Sequence, residues 1–175
     1  NGGGNGICLQ FLSGSINAGE NFRFYGGGFG NSKCIINNPG AAEFTFYSTS
    51  LDYSDQCITN NAGRIEVHGC HMEMNGPSEY GKPLYHCIGS GAIVCFGGMF
   101  LGAANHNNYK DSPIFLETNM STIIFNDTQL YNLTCADGTA LRGPGQLKIR
   151  SSLNTGNSNV GTYNNFVSDP LGLAG

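Results

Sequence analysis

The sequence predicts an all-β solenoid, and the main evidence is a phrase that recurs six times. With Φ for a large apolar residue, the phrase reads Φ-x-Φ-x-small-small-x-Φ. Its copies begin at Phe22, Phe44, Ile65, Ile93, Ile123 and Leu147. Their starts lie 22, 21, 28, 30 and 24 residues apart. A recurring strand with spacers of variable length is typical of a solenoid, because each repeat buries its apolar face only against its neighbours.

The composition favours the same class. Charged residues make up only 11% of the 175 residues, and polarity comes instead from Asn, Ser, Thr and 27 glycines. Uncharged polar side chains suit a stacked β surface, and Asn and Gly suit its tight turns. The net charge of −4 provides no basic surface, so nucleic-acid binding is not expected. Because no apolar stretch reaches 18 residues, membrane insertion is not expected either.

Alternation within each copy has the period of a β-strand, which predicts three inward-facing apolar rows. The first row is Phe22, Phe44, Ile65, Ile93, Ile123 and Leu147. The second row is Phe24, Phe46, Val67, Cys95, Phe125 and Ile149. After a bend of small residues, the third row is Phe29, Leu51, Met72, Phe100 and Leu130. Further apolar runs such as CIINN at 34–38 give each turn two or three strands. The sequence therefore predicts a right-handed parallel β-helix of about six coils.

The boundaries follow from where the phrase begins and ends. Residues 20–150 are predicted to form the β-helix, and 1–19 a lead-in segment that continues from a missing N-terminal part. Residues 151–175 are predicted to be a capping segment or a linker to a missing C-terminal domain. Extra residues at 75–83 and 101–113 predict loops that project from one side and form the walls of a groove.

The seven cysteines (8, 34, 57, 70, 87, 95 and 135) have no CxxC spacing. We interpret them as buried free thiols rather than disulfides or metal ligands. Free thiols favour synthesis in a reducing cytoplasm.

The repeated phrase, and the segment GRIEVHGCHMEMNG at 63–76 in particular, resembles the β-helix domains of bacteriophage tailspikes and tail-fibre depolymerases. These domains have the pectate-lyase-like β-helix architecture. The resemblance implies a homotrimer of the virion tail, made in the host cytoplasm and assembled with other phage tail proteins. It also implies binding, and often cleavage, of a bacterial surface polysaccharide (capsule, exopolysaccharide or lipopolysaccharide) during host adsorption. The family has no universal catalytic motif, so the resemblance transfers no catalytic residue.

The candidate catalytic residues come from placing the copies in register. Asp52 and Glu73 follow equivalent apolar positions, so they are predicted to stack as neighbours about 4.8 Å apart on the outer surface. Retaining glycosidases use two carboxylates at about this separation. Asp55 with Glu73 or Glu79 is the alternative for an inverting enzyme, which needs about 6.5–9.5 Å. The carboxylates are otherwise solvated surface groups or a cation site. No cofactor and no metal ligand are assigned.

A predicted outward row of aromatic side chains is the candidate substrate-binding surface. It comprises Tyr25, Tyr47, His68 and Phe96. Ring faces would stack on sugar C–H surfaces, or the row would pack under a loop or against a neighbouring subunit of a trimer. The flanking outward row becomes apolar at Val94 and Ile124, which favours a trimer contact. His71, close to Glu73, is a candidate for proton transfer or substrate binding. His68 and His71 are predicted on opposite faces of a strand, which disfavours a zinc site.

Two functions remain open from the sequence. The first is a depolymerase, and a glycoside hydrolase is favoured over a lyase because only eight residues are basic. The second is a non-catalytic shaft or adhesin of a trimeric tail fibre.

Overall fold

The chain is built from β-strands. A computed structural model describes residues 6–10, 21–73, 83–101, 114–131, 141–150, 154–155 and 166–168. Within these ranges every regular element is a strand and no helix occurs. The all-β prediction is therefore confirmed. The described part of the chain accordingly contains no helix long and apolar enough to cross a membrane.

The strands are short and evenly distributed along the chain. The first ten are β1 (Ile7–Gln10), β2 (Phe22–Tyr25), β3 (Gly28–Gly30), β4 (Cys34–Asn38), β5 (Phe44–Tyr47), β6 (Ser50–Asp52), β7 (Gln56–Asn60), β8 (Arg64–His68), β9 (His71–Glu73) and β10 (Tyr85–Cys87). The others are β11 (Ala92–Phe96), β12 (Met99–Leu101), β13 (Ile114–Leu116), β14 (Thr122–Asn126), β15 (Gln129–Tyr131), β16 (Leu141–Arg142), β17 (Gln146–Arg150), β18 (Asn154–Thr155) and β19 (Phe166–Ser168).

These strands form three parallel sheets. Sheet A has the order β1-β4-β7-β10-β13-β16, sheet B β19-β17-β14-β11-β8-β5-β2, and sheet C β18-β15-β12-β9-β6-β3. From β2 to β18 the chain visits the sheets in a fixed cycle of B, C and A. Each strand thus pairs with the strand at the same position one turn earlier or later. This arrangement fits a β-helical solenoid, as the recurring phrase predicted.

The three predicted inward rows form the core. Phe44, Ile65, Ile93, Ile123 and Leu147 are register partners in sheet B, and all five are buried. The first member of that row, Phe22, is 41% exposed because β2 is the last strand of the described sheet B. In the third row, sheet C buries Leu51, Met72, Phe100 and Leu130. The predicted packing and register are confirmed.

The corner between sheets B and C explains the small residues of the phrase. Its first residue has φ between +50° and +66° in five successive turns, at Gly26, Ser48, Gly69, Gly97 and Asp127. This left-handed conformation is inexpensive only for Gly and for short polar residues. It turns the chain sharply, so the strand after the bend starts a new inward–outward alternation.

A pair of buried asparagines supports the corner between sheets A and B. Asn38 and Asn60 are the last residues of β4 and β7, and both side chains are fully buried. Asn38 Nδ2 donates to Asn60 Oδ1 at 2.9 Å and to the carbonyl of Ala42 at 2.8 Å. Asn60 Nδ2 donates to the carbonyl of Gly63 at 2.6 Å. These amide groups provide hydrogen bonds to buried carbonyl groups of the corner, which would destabilise the fold if they had no partner.

The predicted free thiols are confirmed for the described cysteines. Cys34, Cys57, Cys70, Cys87 and Cys95 are buried free thiols, and Cys8 is a half-buried one. Burial raises the pKa of Cys34 to about 11 and the pKa of Cys87 to about 12. Cys135 lies outside the described residues.

The predicted terminal segments and loops are only partly within the described ranges. Strand β1 lies in the predicted lead-in segment and pairs with β4 of sheet A. Strands β18 and β19 lie in the predicted capping segment and extend sheets C and B. The loops predicted at 75–83 and 101–113 lie outside the described residues except at their ends.

Candidate functional site

Sheet C presents a small polar cluster on its outer surface. Strands β6 and β9 of this sheet have three residues each, and the middle side chain points inward while the first and third point outward. On β6 the outward residues are Ser50 and Asp52, and on β9 they are His71 and Glu73. The register pairs Ser50 with His71 and Asp52 with Glu73. The predicted stacking of Asp52 on Glu73 is confirmed.

Hydrogen bonds orient the Asp52 carboxylate. The Ser50 hydroxyl donates to Asp52 Oδ2, and the backbone N–H of Glu73 donates to Asp52 Oδ1 at 3.1 Å. The Glu73 carboxylate in turn lies 3.4 Å from His71 Nε2. The cluster is therefore connected across two neighbouring strands.

The sequence reasoning did not foresee that His71 completes a three-residue group. One potential ligand atom from each of Asp52, His71 and Glu73 lies within 4.8 Å of the other two. It is the one such group of His, Cys, Asp or Glu found among the described residues. The signal was present, because residues two apart on a strand share a face. The bend at Gly69 also matters: both His68 and His71 face outward, on different sheets, and not on opposite faces of one strand.

The cluster is accessible to solvent at one edge. The His71 side chain is 48% exposed, and that of Glu73 is 21% exposed. Beside His71 lies an open depression of about 380 Å³, lined by Gly69, Cys70, His71, Gly98, Met99 and Gln129. The depression follows the corner between sheets B and C, where glycines leave room for a ligand.

The third candidate carboxylate lies elsewhere. Asp55 is in the corner between β6 and β7 and is only 6% exposed. Its backbone N–H donates to the carbonyl of Ser32 at 3.1 Å. Glu79 lies outside the described residues. The inverting pairs of Asp55 with Glu73 or with Glu79 stay a prediction.

The predicted aromatic row forms a continuous stack on the outer face of sheet B. This aromatic ladder comprises Tyr25, Tyr47, His68 and Phe96, which are register partners on four adjacent strands. Successive ring centroids are 4.9, 4.9 and 4.7 Å apart, with interplanar angles of 7–23°. The inner ring faces are therefore covered by neighbouring rings. What the ladder offers to a ligand is ring edges, tyrosine hydroxyls and the outer face of Tyr25, which is 71% exposed.

Glu66 fixes the imidazole within this ladder. Its Oε2 lies 3.2 Å from His68 Nε2, and its Oε1 accepts a hydrogen bond from Arg64 Nε at 2.5 Å. Burial raises the pKa of Glu66, but the hydrogen bonds and charges of Arg64 and His68 outweigh burial, so the pKa of this carboxyl is lowered from its ordinary value. Glu66 is thus a carboxylate at neutral pH and holds His68 by the ring edge.

The flanking outward row gives weaker grounds for a subunit contact than the sequence suggested. Val94 is only 2% exposed within the single chain, so its apolar character requires no partner. Ile124, its register partner on β14, is partly exposed. The trimer contact stays a prediction.

A second outward stack lies on sheet A and was missed by sequence reasoning. His86 and Phe115 are register partners with ring centroids 5.0 Å apart. The Arg142 guanidinium lies 4.1 Å from the centroid of the Phe115 ring, and His86 Nε2 lies 2.6 Å from Glu117 Oε1. The alternation of YHC and IFL indicates only that His86 and Phe115 face outward. The spacers before sheet A vary in length, however, so the register between these runs was not specified.

Comparison with known proteins assigns no function to this chain, so its function has to be inferred from the geometry of the molecule. No protein-family model, curated protein or solved structure matches the chain. The resemblance to tailspike domains accordingly stays a prediction.

Proposed function

We propose that this chain is a tailspike or tail-fibre domain that binds and cleaves a bacterial surface polysaccharide during host adsorption. The observation that carries the proposal is the pair Asp52 and Glu73. Strand register fixes the two carboxylates side by side on the outer surface, and His71, which lies beside Glu73, lines an open depression. Glycoside hydrolysis needs two such groups beside a groove that admits a sugar chain.

The separation favours a retaining mechanism. Oxygen atoms of the two carboxylates lie within 4.8 Å, close to the roughly 5–5.5 Å of retaining glycosidases. Asp52, oriented by Ser50 and by the Glu73 N–H, is the nucleophile that forms the glycosyl ester. Glu73, which faces the His71 imidazole, protonates the leaving oxygen and then removes a proton from the attacking water.

The aromatic ladder supplies the binding surface in this proposal. The strands that carry His68 and Phe96 end at the corner that begins with Gly69 and Gly97. The depression lies at the same corner. A polysaccharide that lies across the corner would contact ring edges and tyrosine hydroxyls on sheet B and the carboxylate pair on sheet C. Tyr side chains suit such contacts because they offer an apolar body and a polar tip.

We also infer a right-handed winding with about six coils. Parallel strands joined by crossover connections in one sheet are right-handed in about 98% of cases. Sheets of six, seven and six strands correspond to that number of turns. A homotrimer in the virion tail belongs to the same proposal and rests on the resemblance to tailspike domains.

One observation favours the second candidate, a non-catalytic shaft or adhesin of a trimeric fibre. The rings of the ladder cover one another, so part of their role is to stabilise the stack itself. Stacked aromatic pairs contribute about 0.5–1.5 kcal/mol each beyond the area they bury.

The experiment that separates the two candidates measures polysaccharide cleavage. The full chain is incubated with a panel of bacterial capsular polysaccharides and lipopolysaccharides, and new reducing ends are counted. Asp52→Asn and Glu73→Gln are expected to abolish release, while His86→Ala on sheet A is the matched control that retains it. Undiminished release in both carboxylate variants would exclude this pair. Binding without any release would favour the shaft or adhesin.

A further inference from the structure

We propose that Asp52, His71 and Glu73 form a binding site for a divalent transition-metal ion of the Zn²⁺ class. Neither the aromatic ladder nor the hydrolase proposal requires this site. It follows from three potential ligands that converge on one outer face of sheet C.

The distances suit a shared ion after small side-chain adjustments. Zinc binds imidazole nitrogen and carboxylate oxygen at about 2.0–2.2 Å, so two ligands of one ion lie about 3–4 Å apart. His71 Nε2 and Glu73 Oε2 are already 3.4 Å apart. All three potential ligand atoms lie within 4.8 Å of one another.

The ligands stand on rigid elements. Asp52 is on β6, and His71 and Glu73 are both on β9, its register partner in sheet C. The Asp52 carboxylate is further oriented by the Ser50 hydroxyl and by the Glu73 backbone N–H. A carboxylate oxygen that accepts one hydrogen bond still has a lone pair for a metal. Such outer hydrogen bonds are the usual means by which proteins orient metal ligands.

The ligand types determine the class of ion. Two carboxylates supply two negative charges, which a divalent cation neutralises. A neutral imidazole favours Zn²⁺ and related ions over Mg²⁺ and Ca²⁺, which prefer oxygen ligands alone. Three protein ligands leave a fourth position open towards solvent, on the side where His71 is half exposed. Water or a ligand in the adjacent depression would occupy that position.

The buried thiols are poor competitors for the ion in the folded chain. Metal binding requires the thiolate, and burial raises the pKa of Cys87 to about 12. Cys57 and Cys95 are fully buried as well. These buried thiols are therefore not expected to compete with the sheet C cluster.

Occupation of the site would change the role of the two carboxylates. With the ion bound, Asp52 and Glu73 are ligands and no longer a nucleophile and an acid/base. The metal-loaded chain is therefore expected to lose two-carboxylate hydrolysis, and the ion acts as an inhibitor of the proposed activity. Because binding is measured directly, failure of the hydrolase proposal leaves this inference testable.

Calorimetric titration of the full chain with Zn²⁺ tests the site. The wild type and the control His68→Ala are expected to bind one ion per chain. His71→Ala and Asp52→Asn are expected to bind at least about tenfold more weakly. Circular dichroism verifies that each variant is folded, and His71→Gln replaces the Ala variant if that one is not. A Co²⁺ spectrum tests for thiolate ligands through their charge-transfer band.

Three results would overturn the proposal. They are the absence of saturable Zn²⁺ binding by the folded wild type, unchanged affinity in both folded His71 and Asp52 variants, and a Co²⁺ spectrum dominated by thiolate. Affinity for Ca²⁺ equal to that for Zn²⁺ would overturn the assignment to the transition-metal class.

Discussion

Asp52 and Glu73 are linked through the backbone as well as through register, since the Glu73 N–H donates to Asp52 Oδ1 at 3.1 Å. Asp52, the proposed nucleophile, therefore also accepts a hydrogen bond that ties strand β6 to strand β9. The same side chain accepts the Ser50 hydroxyl. Loss of charge and loss of the acceptor can be separated by substitution.

Asp52→Ala is expected to destabilise the chain, whereas Asp52→Asn is expected to leave its stability nearly unchanged. Alanine removes the acceptor for two donors, at a cost of about 1–3 kcal/mol, while an asparagine Oδ1 can still accept. Urea unfolding of both variants measures the difference. Equal stabilities would show that the hydrogen bonds at Asp52 contribute nothing.

Gly98→Ala is expected to destabilise far more than Gly97→Ala. Both glycines have positive φ, +73° at Gly98 and +61° at Gly97, so both substitutions incur about 1–2 kcal/mol of backbone strain. A Cβ at Gly98 would also lie 2.3 Å from the Cys70 carbonyl oxygen, but one at Gly97 meets nothing within 4 Å. Melting temperatures of the two variants provide the comparison. A Gly98→Ala variant as stable as Gly97→Ala would contradict the described packing of this corner.

Asn60→Ala is expected to reduce the free energy of unfolding by about 1–3 kcal/mol. The substitution leaves the buried Gly63 carbonyl without its donor and removes an acceptor of Asn38 Nδ2. Asn37→Ala, at a partly exposed position one residue before Asn38, is the control and should be close to wild type. If the control were as destabilising as Asn60→Ala, the cost would not come from the buried amide.

Stability is expected to fall in alkaline solution because thiols are buried. Folding raises the pKa of Cys34 to about 11 and of Cys87 to about 12, from 9.0. The contribution of these two thiols to the free energy of unfolding is fully present below pH 9.0. Above it the unfolded chain loses these protons first, so the contribution declines as the pH rises towards the folded-state values.

The measurement for this effect is the urea midpoint at about pH 7 and at about pH 10.5. Other groups titrate in the same range, so Cys87→Ala is the matched control. Its midpoint should decline less than that of the wild type over this interval. An equal decline in both proteins would show that the Cys87 thiol makes no contribution to the alkaline instability.

The fold and the carboxylate pair were predictable because one phrase sets two sheets in register. Sheet C follows sheet B after a bend of two residues, so alignment of the phrase at Leu51 and Met72 also aligns Asp52 with Glu73. Sheet A follows spacers of variable length. The stack of His86 on Phe115 was therefore out of reach.

Conformational details of the site were also not readable from the sequence. The left-handed Gly69 restarts the alternation, which brings His71 to the outer surface beside Glu73. Register alone indicated that Tyr47 and His68 are neighbours. The face-to-face stacking that covers their ring faces depends on side-chain rotamers, which no sequence pattern specifies.

The central claim is that the outer face of sheets B and C binds bacterial surface polysaccharide. Its most direct test is the equilibrium binding of a panel of capsular polysaccharides and lipopolysaccharides by the folded wild type, by Tyr25→Ala and by Phe115→Ala. Tyr25 carries the exposed end of the ladder, and Phe115 is an outward ring on sheet A. Tyr25→Ala is predicted to weaken binding by about 0.5–1.5 kcal/mol, or up to about tenfold, while Phe115→Ala binds as the wild type does. Absence of binding to every polysaccharide, or a loss confined to Phe115→Ala, would contradict the claim.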